Sequence, residues 1–237
     1  MNVIHSLITP IKDFFFLTTC FHCGEYLQED ENRMCARCWS SLTPVRRDDF
    51  TFTANMERFR EGGVIDDFFP LYYFEKGKAL QSLAHSLKYE EITSFGRELG
   101  ERIGILLQRA GITADALVPV PLNKRKQRER GYNQSEYIAD GIFRVTGIPV
   151  LLQAVQRVKY TTTQTQLNAE QRRENIANAF AVNERMKKSI HNCTLIIVDD
   201  VVTTGSTIQE VGKVLKQAGA NKVIAASAGL AKLGDDS

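Results

Sequence analysis

The stretch LIIVDDVVTTGST, Leu195 to Thr207, decides how the rest of the chain is read. Leu195, Ile196, Ile197 and Val198 form a short apolar run, as expected of a strand buried on both faces. Two adjacent acids, Asp199 and Asp200, end that run. A patch of small hydroxyl residues around Gly205 follows, and a helix is expected to begin near Ser206. Ligands of open α/β sheets bind at the carboxyl ends of strands. A glycine turn flanked by Thr203, Thr204, Ser206 and Thr207 places hydroxyls beside the free N–H groups of a helix start, which makes an anion cradle suited to a phosphate. The stretch lacks the G-K-[ST] of a Walker loop and the glycine spacing of a dinucleotide loop. Two carboxylates just before a phosphate cradle suit a ligand with a phosphate and vicinal hydroxyls, and favour positive charge developing nearby. The plainer reading, a strand followed by a helix that Ser206 caps, leaves the paired acids and the threonines without a purpose.

Working outward, β and α patterns alternate from Asp115 onward: the short strand ALVPVPL, the helix NQSEYIADGIFRVTG ending at Gly147, a strand within IPVLLQAVQRV, the short strand AFAV, and after the central stretch the helix STIQEVGKVLKQAGA and the strand KVIAASAGL. This alternation predicts a parallel sheet with helices on both faces. Upstream, KALQSLAHSLKY and FGRELGERIGILLQRAG (Phe95 to Gly111) have helical spacing, the second with Gly111 as its stop. VIDDFFPLYYF (Val64 to Phe74) reads as a hairpin or an edge strand with Pro70 at a permissive position. Val45 to Gly63 reads as a charged linker with one helical turn. Lys159 to Asn178 is a long polar stretch, of a kind common in lids.

Four of the five cysteines form two C-x-x-C pairs, Cys20/Cys23 and Cys35/Cys38, with eleven residues between them. This spacing suits a closed tetrahedral zinc site with four thiolates, against the rivals of a disulfide pair or a redox motif. His22 is expected to face solvent, and Cys193 to be a small buried hydrophobe. Residues 20 to 40 are too poor in apolar side chains to form a core unaided, so the metal is expected to supply most of that segment's folding energy.

The 237 residues carry a net charge of +2, 43% hydrophobic and 24% charged residues, an ordinary balance for a globular protein. No apolar run reaches the roughly 20 residues of a membrane span. The N-terminal apolar stretch is broken by Lys12 and Asp13 and has no cleavage site, so the protein is expected to be cytoplasmic. The run KRKQRER, Lys124 to Arg130, carries five cations and one acid. It is either a solvated helix face or a phosphate-binding loop.

LIIVDDVVTTGST resembles, along its whole length, the phosphoribosyl pyrophosphate (PRPP) signature of type I phosphoribosyltransferases. Together with VPVPLNKRKQRERGYNQSEYIA, RVKYTTTQTQLNAEQRRENIANAF and the four-cysteine module, the chain resembles the ComF family, GntX-related proteins linked to natural competence and DNA uptake. The resemblance implies a type I phosphoribosyltransferase-like α/β domain over residues 64–237, preceded at residues 1–50 by a small zinc-ribbon-like module. It implies that a PRPP–Mg2+ complex sits over the strand ends. Asp199 and Asp200 would meet the ribose hydroxyls as catalytic residues, and Thr203, Thr204, Gly205, Ser206 and Thr207 the 5′-phosphate. Val120 and Pro121 would turn into a pyrophosphate loop carrying Lys124, Arg125 and Arg128. Gln164, Gln166, Arg172, Arg173 and Asn175 would belong to a mobile loop. The expected reaction is transfer of 5-phosphoribosyl to an unidentified acceptor with loss of pyrophosphate. The alternatives are a single-stranded-DNA-binding competence factor, in which the basic run and aromatics such as Tyr132 and Tyr160 hold the strand, and a nucleotide-sensing regulator that works with competence-machinery proteins and does not turn over.

Overall fold

The structure, a computed structural model, describes residues 19–29, 31, 34–74, 93–122, 128, 131–158 and 178–232. Among these, the helices are α1 (Ala36–Ser40), α2 (Phe50–Gly62), α3 (Thr93–Arg109), α4 (Gln134–Thr146), α5 (Lys187–Ile190) and α6 (Ser206–Gln217). The strands are β1 (Asp67–Phe74), β2 (Ala116–Pro119), β3 (Val155–Arg157), β4 (Phe180–Val182), β5 (Thr194–Val202) and β6 (Lys222–Ala231). The main sheet has the order β1-β6-β5-β2 and every pair is parallel. β5 is therefore flanked on both sides, which fits its unbroken apolar run.

Side chains alternate across this sheet, as the twofold period of a strand requires. Ile196 and Val198 join Leu99, Ile103, Ile138 and Ile142 of α3 and α4 in one core cluster. Leu195 and Ile197 join Phe52, Met56 and Phe59 of α2 and Ile208, Val211 and Leu215 of α6 in the other. The expected helices on both faces are present. Cys20, Cys35 and Cys38 lie in the α3/α4 cluster, so the cysteine module shares a core with the sheet.

Helices α3 and α4 meet backbone to backbone. A Cβ added at Gly100 would lie 2.0 Å from the Ile138 carbonyl oxygen, and one at Gly141 would lie 2.1 Å from that of Arg97. Only glycine permits this approach, and it fixes where α4 begins relative to the sheet.

The structure corrects several expectations. Val45 to Gly63 is not a linker with a single turn, because α2 occupies Phe50–Gly62, with Asp49 as N-cap accepting from the Thr51 N–H and Gly63 as a left-handed C-cap. Phe52, Met56 and Phe59 share its buried face and supply the packing that the charged residues around them obscure. Of the two readings for Val64 to Phe74, the edge strand holds: β1 pairs in parallel with β6. Within IPVLLQAVQRV, Val150 makes one parallel bridge to Leu117, while β3 leaves the main sheet and pairs antiparallel with β4. Asp199 and Asp200 do not end the central strand, since β5 runs on through them to Val202. Cys193 is half-buried rather than buried. The helix expected in KALQSLAHSLKY falls outside the described residues.

Candidate functional site

Asp199 and Asp200 lie in the last turns of β5, where the strand is half-buried. Asp199 Oδ1 accepts from the Asp200 N–H at 2.9 Å, and Asp200 Oδ1 accepts from the Val201 N–H at 2.7 Å. The Ser135 hydroxyl, from the first turn of α4, donates to Asp199 Oδ1 at 3.4 Å. Burial pushes the Asp199 carboxyl well above the usual carboxylate range, and the adjacent Asp200 charge pushes the same way. The Asp200 N–H and the Ser135 hydroxyl oppose them. Arg157, at the end of β3, lies over the Phe180 ring of β4 at 5.4 Å. Burial pulls its guanidinium down, while the Asp199 charge holds it up. The small β3–β4 sheet thus brings a cation into the field of the acid pair.

After β5 the chain turns through Thr203 and Thr204 to Gly205, whose φ of 74° is the left-handed conformation that glycine adopts without cost. Gly205 is the N-cap of α6 and brings no side chain to cap it. Ser206 is instead its first residue, with its hydroxyl 2.8 Å from that of Thr204. The reading in which Ser206 simply caps the helix does not hold: the Ser206 N–H donates to Thr204 Oγ1 at 3.5 Å, and the amides that follow in the first turn have no acceptor within the helix. The loop is backed by α2: Phe59 packs against Gly205, and Gln209 Nε2 donates to the Arg58 carbonyl at 2.8 Å.

Val120 and Pro121 follow β2 directly beside β5, where the Val120 N–H donates to the Val198 carbonyl at 2.9 Å. Asn133 then returns the chain to this point, its Nδ2 donating to the Val120 carbonyl at 3.0 Å. The structure therefore gathers Val120, Pro121, Asp199, Asp200 and residues 203–207 at one end of the sheet. Arg128 is exposed. Lys124, Arg125, Gln164, Gln166, Arg172, Arg173 and Asn175 lie outside the described residues. Asn133, Ser135, Arg157 and Phe59 were not legible as site residues. Ser135 and Asp199 are 64 positions apart, and only the packing of α4 on the sheet joins them.

The four sulfur atoms of Cys20, Cys23, Cys35 and Cys38 lie within 4.8 Å of one another. Cys23 Sγ and Cys35 Sγ are 3.8 Å apart, close to the edge of roughly 3.8 Å that a tetrahedron with metal–sulfur bonds of about 2.3 Å requires. The Cys35 N–H donates to Cys20 Sγ at 3.4 Å. Burial opposes ionisation of Cys20, but the N–H groups of Cys23, Cys35 and His22 outweigh it and bring the thiol down to about 6. Cys38 is pushed up, first by burial and then by the neighbouring thiols. Such a set fits a cation that lets all four sulfurs ionise together. His22 is exposed, as expected.

Residues 130–230 match the phosphoribosyl transferase domain. The chain is 40% identical to Competence protein F of Haemophilus influenzae over 46% of its own length and 47% of that protein's. It is 34% identical to DNA utilization protein YhgH of Salmonella typhi over 61% of its length and 64% of that protein's. Over these stretches the chain is similar to proteins of the ComF family. The matches span about half to two thirds of the length of these relatives. A solved glutamine PRPP amidotransferase from B. subtilis aligns with this chain at 22% identity over 57% of it and 26% of that enzyme, with a TM-score of 0.40. Among the described residues, no helix is long and apolar enough to cross a membrane.

Proposed function

We propose that this protein binds PRPP with Mg2+ at the carboxyl end of β5 and transfers its 5-phosphoribosyl group, with loss of pyrophosphate, in competence-linked DNA uptake or nucleotide handling. The observation that carries this reading is the start of α6 behind the Gly205 turn, which follows the Asp199–Asp200 pair along the chain. Residues 203–207 would hold the 5′-phosphate, and the acids the ribose hydroxyls. As the diphosphate leaves C1 of the ribose, positive charge grows on the ring, and carboxylates held in a half-buried site stabilise it. The loop after Val120 and Pro121, with Lys124, Arg125 and Arg128, would receive the leaving diphosphate. The Asp199 and Asp200 carboxylates offer the oxygen ligands that Mg2+ takes, and the ion would supply charge neutralisation on the diphosphate. The four cysteines would hold a structural zinc ion, since the site is closed by four sulfurs.

Calorimetric titration with PRPP and Mg2+, followed by assay of pyrophosphate release with candidate acceptors, tests the reading. Binding with release establishes transfer. Binding without release points to a sensor, and no binding removes the reading.

A second reading is favoured by the relatives named for competence and DNA utilization. The same basic loop would hold single-stranded DNA. Competition between PRPP and an oligonucleotide, and a steep fall of affinity with salt, separate it from the first.

A further inference from the structure

A cavity of about 280 Å3 opens at the outer edge of β1, which β6 separates from β5. Four consecutive residues of β1, Asp67 to Pro70, line it, as a cavity at a strand edge allows, because successive side chains point to opposite faces. Phe52 of α2 closes it from one face of the sheet and Leu106 of α3 from the other. Its charged groups are Arg47 and Asp67. The Arg47 guanidinium lies 5.1 Å from the Phe52 ring centre and 5.0 Å from that of Phe69, and its Nη2 donates to Asp67 Oδ1 at 2.6 Å. The same Oδ1 accepts from the Phe68 N–H at 2.8 Å, which leaves Oδ2 without a partner among the described residues. Strand addition does not suit this opening. Further along β1, the Val45 N–H already donates to the Leu71 carbonyl and the Tyr73 N–H to the Thr43 carbonyl. Within the opening Pro70 has no N–H and Asp67 holds that of Phe68, so an added strand lacks the donors it needs.

We propose that this cavity binds a small, uncharged heteroaromatic molecule, with its ring in the apolar slot and a hydrogen-bonding edge against Arg47 and Asp67. The volume lies just below the roughly 300–1,000 Å3 of drug-sized sites, which limits the occupant to one ring or two fused rings. Water gains little there, because a buried water needs about two to four polar partners and these walls offer few. A flat ring instead packs beside Phe52, Phe69 and the guanidinium. The charges select the edge. A carboxylate would pair with Arg47 but meet Asp67, and an ammonium group would do the reverse. A neutral acceptor next to a donor, as in an amide or an amino-substituted ring nitrogen, satisfies both: the acceptor takes an Arg47 N–H, and the donor meets Asp67 Oδ2. This site shares no residue with the PRPP reading and stands apart from it.

The test is equilibrium dialysis of the full chain against five probes. Adenine, cytosine and nicotinamide carry such an edge, whereas indole has a donor alone and benzoate a charge. The first three are expected to bind with dissociation constants below about 1 mM, and indole and benzoate at least about tenfold more weakly. Arg47→Met keeps an apolar stem and removes the guanidinium, and should weaken the first three about tenfold. Ala110→Phe, at an exposed position on the rim just past the end of α3, fills the opening and should abolish their binding. Both positions are exposed, and thermal melting checks that each variant folds. Failure of wild type to bind any of the first three would overturn the proposal, as would indole or benzoate binding equally well. Binding that both variants retain would also overturn it, because the probes would then sit elsewhere on the protein.

Discussion

Phe59 and Gly205 meet so closely that a Cβ on Gly205 would lie 2.6 Å from Phe59 Cε1. This contact joins α2, at the start of the chain, to the turn that precedes α6. The turn needs glycine twice over, once for its φ of 74° and once for the space that Phe59 occupies. Gly205→Ala is expected to cost about 1–3 kcal/mol in urea unfolding and to abolish PRPP binding. Adding Phe59→Leu should recover part of the stability, since it relieves the contact but not the backbone strain.

The α3–α4 crossing yields a second expectation. In an exposed helix, Gly→Ala stabilises by up to about 1 kcal/mol. At Gly100 and Gly141 the sign reverses, because a methyl group would collide with a carbonyl oxygen of the facing helix. Each substitution should destabilise by about 1–3 kcal/mol in chemical denaturation. Ala110→Gly, just past the end of α3, serves as a comparison without a backbone collision.

Trp39, the single tryptophan, reports on the cysteine module. Its ring stacks on Phe95 of α3 at 5.3 Å and lies under the Arg102 guanidinium at 3.7 Å. If the four cysteines hold zinc as proposed, a chelator, or Cys35→Ser, should shift its emission to the red as the module detaches from α3. The associated loss of stability should be on the order of 3–5 kcal/mol. Emission that ignores the chelator would place the module's folding outside metal control.

The acid pair sets a pH dependence. The Asp199 carboxyl is raised in the folded protein, first by burial and then by Asp200. The folded state therefore holds a proton that the unfolded chain gives up at lower pH. Stability from this group is full below the unfolded carboxyl range and is lost as pH rises through the raised folded value. Asp199→Asn should melt higher than wild type at neutral pH, by about 2–4 °C for each kcal/mol of cost relieved. The difference should narrow on acidification. The same variant should lose PRPP affinity. Stability gained as function is lost is the pattern of a site held under electrostatic strain.

How far the sequence could be read depended on the range of the interaction. The apolar run of β5, the glycine turn and α6 are local patterns, and the structure retains them. The two C-x-x-C pairs are also local, and their sulfurs converge. Helix α2 does carry local signals, Asp49 and Gly63 at the ends and Phe52, Met56 and Phe59 on one face. Six charged residues from Asp48 to Glu61 mask that face. The placement of Ser135 and Arg157 around Asp199 had no local signal at all. It arises from the stacking of α4 on the sheet and from a β3–β4 pairing that joins residues 155–157 to 180–182.

Thermal unfolding with and without PRPP and Mg2+ decides whether the end of β5 holds PRPP. Wild type and Asp200→Ala are compared side by side. At about 100 times the dissociation constant, PRPP should add about 2.7 kcal/mol to wild type, and the variant should show almost none of this gain. No shift of wild type at millimolar PRPP, or an equal shift in both proteins, would contradict the account.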